Sequence, residues 1–185
     1  VQTCALPICD RSSNGSIIRL FRESVSLTSF IVGAFVASKP SLPIARMMAS
    51  MFVIGARWMP PGGHVDPDET PEDTARRECK EETGIDVEVV GDAQDDVFVE
   101  NHNEGKILKK PFCFLLEEIP ATKEQPAHQH MDFVYLARPI DETQTLILQE
   151  EEGRELRWFT LQEIEKLSDT EIFANVRGYV RALLV

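Results

Sequence analysis

A chain of 185 residues with 43% hydrophobic and 27% charged residues has the length and composition of one folded domain with a sizeable core. Its 31 acidic against 19 basic residues give a formal charge of −12, and no run of Lys or Arg forms a basic stripe, which argues against a long nucleic acid as partner. A small phosphorylated ligand suits that charge only if a cation stands between it and the carboxylates.

The first eight residues, VQTCALPI, are what GTG CAG ACG TGT GCT CTT CCG ATC encodes, a string similar to a sequencing-adapter oligonucleotide. Residues 1–25 are therefore read as a non-native or disordered extension. Residues 26–185, without internal repeat or low-complexity linker, are read as one folding unit. The 13-residue apolar run from Val25 to Ala37 is too short to span a bilayer, so no membrane segment is expected. It follows Arg19 and Arg22, which leaves a signal-peptide core as the rival reading, but its β-branched and aromatic residues favour a buried strand.

Strand patterns follow at Ser29–Ala37, Ala49–Ile54, Asp86–Val90, Val97–Glu100, Lys110–Glu117, Met131–Ala137 and Glu155–Phe159. Helical patterns occupy Pro71–Thr83, Leu161–Leu167 and about Thr170–Leu184, the last with Ile172, Phe173, Val176, Val180 and Leu183 at helical spacing. Strands outnumber helices and do not alternate with them, which predicts an α+β or sandwich-like arrangement of layers. The stretch Ser38–Arg57 carries Pro40, Pro43 and three Met residues where a charged hairpin is expected, as a local frameshift would produce. Cys4, Cys9, Cys79 and Cys113 form no CxxC pair and lie at no zinc-finger spacing, so a reducing, cytoplasmic setting without structural zinc or disulfides is expected.

The helix after Glu69 has clear ends. Thr70 can cap it, Pro71 suits its first position, Glu72 and Asp73 complement its positive end, and Gly84 can terminate it. Its last turn is anomalous: Glu78, Glu81 and Glu82, at i, i+3 and i+4, crowd three carboxylates onto one face near the negative end of the helix dipole. A solvated acidic face offset by Arg76, Arg77 and Lys80 is one reading. The other is that a hard divalent cation with oxygen ligands supplies the missing charge. The preceding Pro60-Pro61-Gly62-Gly63-His64 favours the cation, because paired glycines allow close backbone approach while the prolines stiffen the segment. Glu69 and Arg77 make a plausible ion pair bracing loop against helix. Ala75 and Cys79 give a small apolar stripe facing a sheet, with Cys79 read as packing.

From Gly63 to Ile85 the chain reads GHVDPDETPEDTARRECKEETGI, which resembles the Nudix box, Gly-x5-Glu-x7-Arg-Glu-U-x-Glu-Glu-x-Gly-U with U apolar, at every specified position. The order of strands and the C-terminal helix are also similar to the Nudix family over residues 26–185, most weakly before Trp58. The resemblance implies a Nudix-type α/β/α sandwich with a mixed β-sheet. It implies a magnesium-dependent pyrophosphohydrolase, with manganese able to replace magnesium, acting on a nucleoside diphosphate linked to another moiety: a nucleoside triphosphate or a nucleotide sugar. Carried over, Glu78, Glu81 and Glu82 with the Gly63 carbonyl would hold the metal, while Arg77 and Glu69 would support the loop. Glu82 or Glu78 would serve as the base, and Glu152 is the positional match for a further glutamate some members use as ligand or base. A small nucleotide is the implied substrate, and a homodimer fits the family. The rival is a silent Nudix-like domain that senses a nucleotide, against which the intact triad argues. A calcium site lacks the spaced Asp/Asn loop it would need.

Outside the box, His64 could contact phosphate, and Trp58 or Phe112 could stack on a base, although aromatics near strand ends are more often core. His128, His130 and Asp132 share one face if their strand begins by His128. That suits a second metal or a substrate contact, against the plainer reading of a polar strand start.

Overall fold

The computed structural model describes residues 29–36, 48–54, 57–92, 94, 104–123, 125–149 and 154–183. The elements run β1 (Ser29–Val36), β2 (Met48–Ile54), β3 (Arg57–Met59), β4 (Gly62–His64), α1 (Pro71–Thr83), β5 (Val87–Val90), β6 (Cys113–Ile119), β7 (His128–Pro139), β8 (Leu156–Thr160), α2 (Leu161–Ile164) and α3 (Ala174–Leu183).

Five strands form a mixed sheet around β7. One edge of β7 pairs in parallel with β1 over its whole length, and β4 adds antiparallel to β1 beyond it. The other edge is shared, with β6 antiparallel to its first half and β5 antiparallel to its end. A second, antiparallel sheet has the order β3-β2-β8.

Because strand side chains alternate between faces, β7 feeds two cores. Tyr135 and Ala137 pack with Ala34, Ala75, Cys79, Ile85, Val87 and Val89 under α1. Val134 and Leu136 turn the other way, onto Trp58, Phe159, Ile164, Ile172, Val176 and Val180 from β3, β8, α2, the α2–α3 connection and α3. The layering is that of an α+β, α/β/α sandwich. No helix of the described residues is long and apolar enough to cross a membrane.

Helix α1 spans the expected residues, since both of its ends are locally coded. Thr70 Oγ1 accepts from the Asp73 N–H at 3.2 Å, and Gly84 ends the helix at φ 73°, its N–H donating to Lys80 O at 3.0 Å. Elsewhere the boundaries differ. The second helix closes at Ile164 rather than Leu167, because Lys166 N and Leu167 N donate three residues back, to Glu163 O and Ile164 O, in a tightened last turn. The third begins at Ala174 rather than Thr170: Ile172 is fully buried in a β-bridge to Trp58, and Trp58 N–H donates to Glu171 O at 2.7 Å. The strand expected from Lys110 starts at Cys113, and β3 and β4 were not expected. Val97–Glu100 lies outside the described residues, as do 37–47 and 55–56 from the proline- and methionine-bearing stretch.

Candidate active site

β4 lays the paired glycines against α1. Gly62 N–H donates to Glu82 Oε2 at 2.8 Å, which fixes this buried carboxylate to the strand. A Cβ built on Gly63 would lie 2.2 Å from Glu78 Oε1, so glycine is required there for strand and carboxylate to approach as they do. Glu78 and Glu82 are thus held beside Gly63 and Gly62, while Glu81 faces outward, its side chain 56% exposed.

Arg77 lies at the centre of the loop–helix junction. Its Nε and Nη2 donate to the two oxygens of Glu69 at 2.8 and 2.9 Å, in the bidentate geometry a guanidinium and a carboxylate favour. Nη1 donates to Glu78 Oε1 at 2.8 Å and Glu81 Oε2 at 3.0 Å, and Nη2 also reaches the His64 carbonyl at 3.2 Å. Arg77 accordingly holds the Glu69 carboxyl far below its usual range, at about 2, with help from Thr74 Oγ1, which donates to it at 2.9 Å. The same carboxylates push the Arg77 guanidinium up, Glu69 most strongly. The loop between β4 and α1 closes on a tight turn in which Asp68 takes positive φ, 68°, a conformation Asp tolerates better than most residues.

Among the described residues no three His, Cys, Asp or Glu side chains converge in a metal-holding geometry. The physical reason lies in the contacts above: Arg77 draws Glu78 and Glu81 to its Nη1, and Gly62 N–H draws Glu82. The donor set itself consists of hard oxygens on one helix face against a glycine strand, the chemistry a hard divalent cation takes. The group therefore fits such an ion once Arg77 yields its two partners.

Cys79 is fully buried beneath this face, and burial pushes its thiol well up, as packing rather than reactivity requires. Trp58, considered for base stacking, is instead a core residue. It is 8% exposed, with its ring edge-on to Phe159 at 4.5 Å. Phe112 is 41% exposed and stands edge-on to Tyr179 at 6.3 Å. His64 is exposed on the face of β4 opposite Gly63, its ring 5.7 Å from that of His130. Glu152 lies outside the described residues. Sequence reasoning missed the bond from Gly62 N–H to Glu82. Its signal was available in the doubled glycine, of which only Gly63 belongs to the box pattern.

A family model described as the NUDIX domain matches residues 48–177. Among solved structures, a NUDIX-family hydrolase from Clostridium perfringens superposes with a TM-score of 0.63 at 21% identity, covering 85% of this chain and 97% of that one. A C. elegans Ap4A hydrolase binary complex follows with a TM-score of 0.57 at 19% identity, covering 84% and 95%. A UDP-X diphosphatase gives 0.53 at 14% identity, covering 90% of this chain and 68% of that one. No curated protein matches the chain.

Proposed function

As a member of the NUDIX domain family the chain is a pyrophosphate-cleaving hydrolase, and we propose that it acts on a nucleoside diphosphate linked to a further group, with a divalent cation held by Glu78, Glu81 and Glu82 and the Gly63 carbonyl. Magnesium is the ion proposed, with manganese able to replace it. Bound there, such an ion neutralises phosphate oxygens and lowers the pKa of water.

The observation that carries this reading is the placement of Glu78 and Glu82 against Gly63 and Gly62, with Arg77 as the counter-ion. Local helix stability disfavours three carboxylates in a last turn, and Arg77 offsets part of that cost through its bonds to Glu78 and Glu81. Arg77 and Glu69 hold the loop so that the glycine strand keeps its distance from the helix. Glu82 or Glu78 is the residue proposed to accept the proton from the attacking water, supported by the position of each beside the glycine strand. Solved structures of this fold include an Ap4A hydrolase and a UDP-X diphosphatase, which supports a small nucleotide as the substrate class. The formal charge of −12 agrees, because an anionic substrate needs a cation to approach these carboxylates.

The test is phosphate release from a panel of nucleoside triphosphates, dinucleoside polyphosphates and nucleotide sugars, with and without magnesium or manganese. Glu81→Gln and Glu82→Gln should each lower turnover on the order of 10³-fold, the loss of several kcal/mol of transition-state stabilisation. Undiminished turnover in both variants sinks the proposal. Tight nucleotide binding without turnover in the unaltered chain would mark a sensing domain instead.

A further inference from the structure

After β7 the chain does not leave the fold at once: residues 140–149 form a strap across the C-terminal end of α1, the end that carries Glu81 and Glu82. Two ties hold the strap there. In the first, Ile147 N–H donates to Thr83 O at 2.8 Å, so one of the last carbonyls of α1, which the helix itself cannot satisfy, takes its partner from the strap. The Ile147 side chain lies over Gly84, where an added Cβ would stand 2.8 Å from the Ile147 Cβ. Gly84 therefore does two things that a larger residue would prevent: it ends the helix with positive φ, and it leaves room for the strap. Leu146, next to Ile147, packs against the core under α1.

The second tie is Gln144. Its Oε1 accepts from the Asp86 N–H at 2.8 Å and its Nε2 donates to the Asp86 carbonyl at 3.1 Å, so one side-chain amide exchanges both hydrogen bonds with a residue as a strand neighbour would. Nε2 also donates to Asp141 O at 3.0 Å, which closes the turn that Gln144 ends. Asp86 stands just beyond Gly84, and its carboxylate accepts from Lys80 Nζ, in the last turn of α1, at 2.6 Å. Little else anchors the strap, since Asp141, Glu142, Thr143, Thr145 and Ile147 are all exposed. A segment with so few apolar contacts keeps its place only while its hydrogen bonds last.

The turn that the strap touches is the one the carboxylates occupy. Thr83 follows Glu82, whose carboxylate accepts from Gly62 N–H, and Glu81 accepts from Arg77 one turn back. A helix whose terminal carbonyl loses its outside partner frays from that end, and carboxylates on a fraying turn no longer converge on one ion. We infer that Gln144 is a positioning residue for this turn: by pinning the strap to Asp86 it keeps Ile147 on Thr83, and so keeps Glu81 and Glu82 in the directions a divalent cation requires. The inference rests on the role proposed above for those carboxylates. Gln144 acts through the helix end and is not itself a ligand.

The test is manganese binding to the full chain without substrate, measured by electron paramagnetic resonance of the free ion, in the unaltered chain, Gln144→Ala and Arg177→Met. Gln144→Ala should weaken manganese binding about tenfold, as loss of a group that orients metal ligands does. The Ile147 amide should lose protection against hydrogen exchange in the same variant. Arg177 donates to carbonyls at another helix end, that of α2, so Arg177→Met should lower the unfolding midpoint and leave manganese affinity unchanged. Manganese binding in Gln144→Ala equal to that of the unaltered chain overturns the inference, and so does an Ile147 amide that stays protected there. An equal loss of affinity in Arg177→Met overturns it too, since any loosening of the fold would then suffice. No manganese binding by the unaltered chain up to millimolar concentration would instead remove the cation reading, and this inference with it.

Discussion

Two arginines, Arg77 and Arg177, are both largely withdrawn from solvent and both make several hydrogen bonds, yet their partners differ in kind. Arg177, on α3, donates to the carbonyls of Ile164 and Leu167 at 2.7 and 2.9 Å, closing the C-terminal end of α2. Among the described residues its carboxylate partner is Asp169, at 3.3 Å and 96% exposed, an ion pair that contributes little. Arg77 instead gathers the carboxylates of Glu69, Glu78 and Glu81. Backbone carbonyls at a helix end carry no net charge for a cation to compete for. Carboxylates can be claimed by any stronger cation. Arg177 is therefore a fixture of the fold, whereas Arg77 is a counter-ion whose partners are open to competition.

The largest effect that separates them is on stability. Arg177→Met leaves two helix-end carbonyls without their charged donor, and bonds of this type contribute about 1.5 to 3 kcal/mol each, so a loss of about 3 kcal/mol is expected. For a chain of this size that lowers the unfolding midpoint by roughly 6 to 12 °C. Turnover per folded molecule at 25 °C should not change. A midpoint within about 2 °C of the unaltered chain would mean that water or a neighbouring donor replaces the guanidinium.

Arg77→Met should cost less in stability, about 1 kcal/mol, because its partners remain partly solvated. The informative quantity is the response to a divalent cation. With the guanidinium gone, Glu78 and Glu81 lose their positive neighbour, so added magnesium should raise the unfolding midpoint more in the variant than in the unaltered chain. An equal or smaller rise would show that Arg77 and the cation do not share the same carboxylates.

The same contrast explains what the sequence could reveal. Wherever structure is coded within a few residues, as with Thr70 and Gly84 at the ends of α1, sequence reading reached the right boundaries. The spacing of Glu69, Arg77, Glu78 and Glu81 also carried the junction, since its partners lie at most eight positions apart along the chain. Strands of three residues, β3 and β4, have no periodicity to detect and exist because β2 and β1 lie beside them. Ile172 has helical spacing to Val176 but is captured by Trp58, 114 positions earlier. Likewise, alternation placed His128, His130 and Asp132 on one face, but only the packing of α1 on the other shows which face that is.

The smallest predicted effect concerns acid. Arg77 depresses the Glu69 carboxyl to about 2 in the folded chain, from about 4.5 when free. A group depressed in this way adds stability that is fully present above its unfolded pKa and is lost as the pH falls through its folded one. The window is therefore pH 4.5 down to 2. Glu69→Gln should bring the stability of the variant and the unaltered chain together across that window, with a constant gap above it. Denaturation midpoints in urea at pH 7, 5, 4 and 3 measure this directly. Other carboxylates, including Asp73 and Glu163, are also lowered by hydrogen bonds from their helix caps, so the difference between the two chains carries the information and neither curve does alone. A gap that stays constant down to pH 3 would show that Glu69 ionises in the folded chain as it does in the unfolded one. Arg77 would then owe its position to Glu78, Glu81 and the His64 carbonyl alone.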